Sequence, residues 1–353
     1  MKVLIFPKDS NPYQELLYTK LRNQYPDSEF TYLKTSRIKF LIYPFIFLIK
    51  RLQGFEVIHI HWLEFSTTLS VPFSRFMSYY YSIICLYTLK LLRFKVVWTV
   101  HDVIPHEQQT IKDIHVAQIL SRIASAKIAH ASYTIAQMKQ LGLDTNNTFI
   151  VPHGNYINNY PINISKLRAR KKLGINPNQF VILFFGLIKP YKGITELVSA
   201  YSRVSSKKVR LVVAGRCIDP VLNREILDSQ KKIHFDYHEG YVEENDVATY
   251  FQASDIVCLP FNEITTSGSV LLALSQGKPI IAPRIGAISD LPDNVGFLYD
   301  PSKPDALLTS LNNAITSKHL SGMSEGARNY AESLSWDKIA DKTYEVYKGV
   351  ASL

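Results

Sequence analysis

Asn262-Glu263-Ile264-Thr265-Thr266-Ser267-Gly268-Ser269-Val270-Leu271-Leu272-Ala273-Leu274-Ser275-Gln276-Gly277-Lys278-Pro279 opens with an acidic residue, three hydroxyl residues and a glycine, then runs on as an apolar segment closed by Gly277 and Pro279. A strand-like run ending at Pro260 leads into it. The pattern predicts a strand, a short polar loop and the exposed N-terminus of a helix. Such a terminus has N–H groups without intrahelical acceptors and the positive end of the helix dipole, which suits an anion, phosphate above all. Glu263 is placed to accept hydrogen bonds from sugar or ribose hydroxyls. The same residues also fit an ordinary core helix whose first turn is capped by Thr or Ser.

Working outward, short apolar runs recur at 180–186, 209–215, 233–235, 256–260 and 279–283, separated by helical patterns. A similar series occupies 2–6, 30–33, 57–62, 95–102, 124–132 and 149–155. Runs of this kind are parallel strands covered on both faces. Residues 155–178 are polar, basic and rich in Asn and Pro, which marks a boundary. The chain therefore reads as two doubly wound α/β domains in tandem, 1–165 and 166–335, with a terminal helix over 336–353. Ligands of open α/β sheets bind off the carboxyl ends of the strands. Two polar clusters fall there in the first domain: His59, His61 and Trp62, then His101 and Asp102. His59 and His61 share a face as two metal ligands would, but no third ligand is evident nearby, and no metal is expected.

With 353 residues, 46% hydrophobic and 20% charged, the composition is that of an ordinary globular protein. The three cysteines, Cys85, Cys217 and Cys258, have no paired spacing and read as small buried hydrophobes in a reducing compartment. The opening Met1–Pro7 is too short an apolar run for a signal peptide and reads as a first strand, which points to the cytoplasm. The net charge of +10 is uneven: residues 1–95 hold 13 Lys and Arg against 6 Asp and Glu. That excess needs an anionic partner. The segment 37–51 has an apolar centre bracketed by basic residues, too short to span a bilayer but suited to the interface. Lys39, Lys50 and Arg51 would then face anionic lipid, and so would Arg75 from the aromatic stretch 72–87, or the segment is a helix buried beside the sheet. The basic residues alternate with long apolar segments and no recognition motif appears, so nucleic acid is not expected.

Gly186-Leu187-Ile188-Lys189-Pro190-Tyr191-Lys192-Gly193 is the second informative stretch. A glycine at a strand end lets backbone approach a ligand, and two lysines three apart can converge on one phosphate, although a solvated basic turn would look alike. Together the two stretches would satisfy a nucleotide diphosphate sugar. The C-terminal half resembles the donor-binding domain of GT-B glycosyltransferases of the family 4 type (glycosyl transferases group 1), in which a strand ends in Gly-Arg-Leu-x-x-x-Lys-Gly. Here Leu187 stands for the Arg and Ile188 for the Leu. Gly240-Tyr241-Val242, Ala253-Ser254-Asp255, Gly277-Lys278-Pro279 and Gly296-Phe297-Leu298 follow in the family's order, and Thr99–Asp102 and Val151–Gly154 resemble its N-terminal motifs more loosely. The departures matter. The family's two glutamates, eight apart, fall at Ile264 and Leu272, and the one nearby acid is Glu263.

The resemblance implies two Rossmann-like domains facing across a cleft, with the terminal helix crossing back to the first. It also implies transfer of a sugar from GDP-mannose or a UDP-hexose to a lipid-linked saccharide in polysaccharide or glycolipid assembly. No cofactor or metal is required, and the site lies at the inner face of the cell membrane. Gly186, Lys189, Lys192, Glu263, Thr265, Thr266, Ser267 and Gly268 would hold the donor, with Arg216 or Lys189 replacing the missing Arg. Lys192 would also stabilise the departing diphosphate. His101 would contact the transferred sugar, and Asp102 would orient it or act as base; His153 and His106 read as structural. Two other readings stay open here: a catalytically silent protein that binds glycan or scaffolds a partner, and a nucleotide-sugar epimerase.

Overall fold

The computed structural model describes residues 1–8, 12–33, 42–62, 72–103, 111–204, 206 and 208–352, with backbone only for 72–76. It divides into an N-terminal unit, Met1–Gly154 with Trp336–Leu353, and a C-terminal unit, Asn155–Ser335. The division falls at Gly154, earlier than the expected boundary at 165, because the Asn-rich segment after it is anchored in the second unit. There the Asn155 side chain donates to the Ala331 carbonyl (2.8 Å) and the Tyr156 N–H to Ser275 Oγ (2.9 Å).

The N-terminal unit runs β1 (Lys2–Phe6), α1 (Pro12–Gln24), β2 (Glu29–Tyr32), α2 (Tyr43–Leu52), β3 (Val57–Ile60), α3 (Pro72–Leu91), β4 (Lys95–Val100), α4 (Ile111–Ile123), β5 (Ala126–Ala129), α5 (Ser132–Gln140) and β6 (Thr148–Ile150). All six strands are parallel, in the order β2-β1-β3-β4-β5-β6. Alternation along each strand splits the core between two faces. Leu4, Phe6, Ile58, Ile60, Val96 and Trp98 pack with Tyr43, Phe47, Leu86 and Leu120 of α2, α3 and α4. Val3, Ile5, Val57 and Val97 pack with Tyr13, Leu17 and Tyr18 of α1 on the opposite face.

The C-terminal unit follows with α6 (Lys166–Lys172), β7 (Phe180–Phe185), α7 (Ile194–Ser202), β8 (Val209–Gly215), α8 (Pro220–Gln230), β9 (Asp236–Glu239), α9 (Glu244–Ala253), β10 (Ile256–Cys258), α10 (Gly268–Ser275), β11 (Ile280–Pro283), β12 (Gly296–Tyr299), α11 (Ala306–Thr316) and α12 (Leu320–Ser333). Its parallel sheet has the order β12-β11-β10-β7-β8-β9, so strand order reverses between β7 and β10, where this kind of sheet opens its ligand crevice. The expected strand 233–235 is displaced: the strand is Asp236–Glu239, a polar edge, and Phe235 before it is buried. Arg170 ties the back of the unit together. Buried to 3%, it donates to the Ala253 carbonyl (3.0 Å) and pairs with Asp255 (2.7 Å), which also accepts from the Val181 N–H (2.7 Å).

The last helix, α13 (Trp336–Ala351), completes the N-terminal unit: Trp336, Ile339, Tyr347 and Val350 cover the face that α1 shares with the sheet. Tyr344 stacks on Tyr25 with ring centroids 3.5 Å apart, and Tyr25 donates to Asp341 (2.7 Å). Gly154 must be glycine, since a Cβ there would lie 2.4 Å from the Trp336 ring.

Candidate active site

The two stretches singled out in the sequence follow β7 and β10, the neighbours at the C-terminal unit's switch point. After β7, Gly186 has φ 115° and Ile188 N–H donates to the Arg216 carbonyl (2.8 Å). A single 3₁₀ turn, Pro190–Lys192, then delivers Gly193, whose φ of 70° and lack of a Cβ allow the Pro260 carbonyl to approach to 1.9 Å of where that carbon would sit. This turn buries Lys192 to 8% exposure, with its Nζ 3.2 Å from Ser269 Oγ. Burial, with the Lys189 charge second, lowers the Lys192 pKa to about 8.

After β10, Ser267 caps α10 by accepting from the Val270 N–H (3.2 Å). The N–H groups of the first turn, at Gly268 and Ser269, are those a helix leaves without intrahelical acceptors. A Cβ on Gly186 would lie 3.0 Å from Ser269 Oγ and 3.5 Å from Lys192 Nζ, so the strand-end glycine, the buried lysine and the helix start meet at one point. This is an anion-shaped corner: one ammonium, one hydroxyl and a helix N-terminus over bare backbone.

Among the expected donor residues, Gly186, Lys192, Ser267 and Gly268 come together there. Lys189 and Thr266 are half-buried beside them, and Glu263 is exposed on the loop. Thr265 differs from expectation: it is buried to 1%, with its carbonyl accepting from the Ala287 N–H (3.0 Å), so it secures the loop from below. Arg216 is exposed and joins the site through its backbone carbonyl. Ile264, at the first glutamate position, is 7% exposed in the core, and Leu272 at the second packs against that core. Two residues escaped the sequence reading. Ser269 carries no motif signal beyond its place two residues after the cap. Tyr156, with its hydroxyl 3.4 Å from a Cβ built on Gly268, lies before the boundary expected at 165 yet stands over the helix start. A separate cavity of about 620 Å³ in this unit, lined by Thr195, Glu196, Asn262 and Tyr299, touches neither Lys192 nor Ser269.

In the N-terminal unit, histidines line the carboxyl edge of the sheet: His59 on β3, His61 just after it, His101 after β4, His130 after β5 and His153 after β6. All are driven toward the neutral form by burial; His59 and His153 fall to about 3 and His130 to about 4, while His61 and His101 lie well below the ordinary imidazole value. The two ring nitrogens of His101 lie 3.1 Å from His61 Nδ1 and 3.2 Å from His130 Nε2, and Trp62 stacks on its ring at 4.5 Å. Asp102 is half-buried beside it. His59 and His61 bond to Tyr18, and among the described residues no group of His, Cys, Asp and Glu could hold a metal ion. His106 and Lys39 lie outside the described residues, as does the side chain of Arg75.

Lys50 and Arg51 have partners within their own unit: the Arg51 guanidinium donates to the Leu92 carbonyl (3.0 Å), and the Lys50 ammonium lies 5.0 Å from the Phe55 ring centre. What α2 and α3 show outward is apolar. Phe45, Leu48, Ile49 and Leu52 on α2, and Met77, Tyr80, Ile84, Tyr87 and Leu91 on α3, are exposed at helical spacing. Among the described residues no helix is long and apolar enough to cross a membrane.

Residues 179–317 match the family model described as glycosyl transferases group 1. A GDP-mannose:glycolipid 4-beta-D-mannosyltransferase of Xanthomonas campestris pv. campestris is 25% identical over 350 residues, spanning 96% of this chain and 88% of that protein. A lipopolysaccharide 1,2-N-acetylglucosaminetransferase of Salmonella typhimurium is 27% identical over 216 residues, 56% of each chain. Among solved structures, Anabaena HepE in complex with UDP superposes with a TM-score of 0.78 at 18% identity, covering 99% of this chain and 100% of that one, and its likeness is one of fold. With its two parallel Rossmann-like sheets the chain has the GT-B fold, its residues 179–317 carry a glycosyl transferases group 1 domain, and over nearly its whole length it is similar to a glycosyltransferase.

Proposed function

We propose that the enzyme transfers a hexose from a nucleotide-diphosphate sugar to a lipid-linked saccharide at a membrane surface. The observation that carries the donor half is the meeting of Gly186, Lys192 and the α10 N-terminus at the switch point. Glycosyl transfer develops negative charge on the departing diphosphate. A buried ammonium and fixed N–H dipoles stabilise that charge without reorganising, which is the largest lever such a site has. Glu263 is proposed to receive donor hydroxyls, with Ser267, Ser269 and Thr266 around the phosphates. His101 and Asp102 are proposed to serve the transferred sugar. Transfer is proposed to need no metal and should survive chelation. GDP-mannose is the first donor to try, because the relative matching nearly the whole chain is named for it.

The acceptor half rests on the two outward stripes of α2 and α3, joined at the Tyr43 N–H, which donates to Tyr81 (3.2 Å). With Lys90 and Arg93 exposed at the end of α3, these stripes suit the interface of an anionic bilayer, and the enzyme is proposed to work at the inner face of the cell membrane. Thermal-shift screening against GDP, UDP and their sugars tests the donor, since a ligand bound only by the native state raises its stability. Transfer to a lipid-linked acceptor then tests the reaction. No stabilisation by any of these nucleotides would overturn the donor site, and isomerised free sugar nucleotide would replace transfer by epimerisation.

A further inference from the structure

The histidines of the N-terminal unit are ordered by one backbone group. The Val151 carbonyl can only accept, and it lies 2.8 Å from His130 Nδ1, so that nitrogen carries the proton. Neutral His130 must then accept at Nε2, 3.2 Å from His101 Nδ1, and His101 is thereby protonated at Nδ1 too. His101 Nε2 accepts from His61 Nδ1 (3.1 Å), and His61 Nε2 accepts from the Tyr18 hydroxyl (2.8 Å). With its proton committed, Tyr18 receives from His59 Nδ1 (2.8 Å), which also meets the Tyr347 hydroxyl at 2.6 Å. His59 Nε2 accepts from Thr99 Oγ1 (2.7 Å) and ends the series. From Thr99 to Val151 the bonds of this series point the same way and carry no net charge, and Tyr347 branches from it at His59 Nδ1, sharing that proton with Tyr18.

We propose that Thr99, His59, Tyr18, His61, His101 and His130 form a single one-directional hydrogen-bonded chain, anchored on the Val151 carbonyl, in which His61 and His130 are positioning residues that fix His101 as its Nδ1–H tautomer. The chain engages both nitrogens of His101 inside the unit. His101 therefore offers a sugar its ring rather than a basic nitrogen, and proton transfer at the end of β4 falls to Asp102. The functional consequence rests on the reading that His101 serves the glycosyl-transfer site; the tautomers do not.

The first test reads the tautomers alone, by long-range proton–nitrogen correlation on the full chain with labelled histidine. His59, His61, His101 and His130 are expected to be protonated at Nδ1, the minor tautomer of free imidazole, and to stay so from about pH 6 to about pH 8. A proton at Nε2 of His101, or its titration in that range, overturns the chain whatever the enzyme's activity. The second test compares paired variants in the release of nucleoside diphosphate from GDP-mannose or UDP-glucose, whichever the native enzyme turns over. His61→Leu and His130→Leu remove a partner of His101 and are expected to lower kcat about tenfold, the scale of one hydrogen bond, with KM little changed. His61→Asn keeps the donor and His130→Gln keeps the acceptor at the same place; both should recover most of that loss. Equal kcat in the Leu and amide variants, at equal thermal stability, would overturn the positioning role.

Discussion

Acidification should destabilise the N-terminal unit while the enzyme's carboxylates are still ionised. Folding lowers the pKa of the buried histidines, so the unfolded chain binds more protons than the native one. Their contribution to stability is full above the unfolded value of about 6.5 and is lost as pH falls through it toward the folded values. His59 and His153, at about 3, and His130, at about 4, each forfeit about 1.4 kcal/mol at about pH 5.5. Together that is about 4 kcal/mol, against a typical total of about 5–15 kcal/mol. His61 and His101 shift in the same direction and add to the loss. The assay is built into the protein, because its three tryptophans, Trp62, Trp98 and Trp336, all belong to this unit. Denaturant titrations followed by tryptophan fluorescence should show the midpoint falling from about pH 7.5 to about pH 5.5. An unchanged midpoint over that interval would mean that the histidines are charged or solvated in the native state, and would refute the burial argument.

Lys192→Ala should lower turnover on the order of 10²-fold with the thermal midpoint of the protein retained, and wild-type turnover would remove Lys192 from the diphosphate site. Because the Lys192 pKa lies at about 8, nucleoside diphosphate affinity measured by calorimetry should weaken as pH rises beyond that value, and a flat profile in the wild type would contradict its role. Asp255→Ala strands the Arg170 guanidinium, which is 3% exposed, and should destabilise the C-terminal unit by about 3–5 kcal/mol in chemical denaturation. Leu52→Glu with Ile84→Glu should release the enzyme from anionic liposomes in a sedimentation assay without changing donor binding, and unchanged sedimentation would dismiss the α2 and α3 stripes as the docking face.

The doubly wound pattern was legible because the strands of both sheets are apolar on both faces, and the one misplaced strand, Asp236–Glu239, is a polar edge whose letters resemble a loop. Gly186, Lys192 and Ser267 could be nominated from local pattern alone, since each serves its own turn or cap. Ser269 could not, because its value comes from Lys192, which reaches it across 77 residues of chain. The histidines illustrate the same limit. Their positions at strand ends were visible, but their lateral bonding depends on β3, β4 and β5 lying side by side, with Ile60 in register with Trp98 and Val100 with Ala129. Ile264 and Leu272 were seen as departures from the family, and the structure supplies the reason at Ile264: that position belongs to the core, where a carboxylate without a partner would be costly.

The terminal helix α13 gives the chain a timetable. Its residues belong to the unit that begins first in the chain, yet they leave the ribosome only after the whole of the C-terminal unit. Until they do, Val3, Ile5, Val57 and Val97 have α1 on their side of the sheet but not Trp336, Ile339 and Tyr347, and Gly154 faces an empty slot. The C-terminal unit, an uninterrupted segment from Asn155 to Ser335, can close its own core before the N-terminal unit can finish. A nascent chain arrested before Trp336 would therefore expose an apolar sheet face to chaperones, and a circular permutant that joins α13 directly ahead of β1 would let both units fold in the order in which they are made.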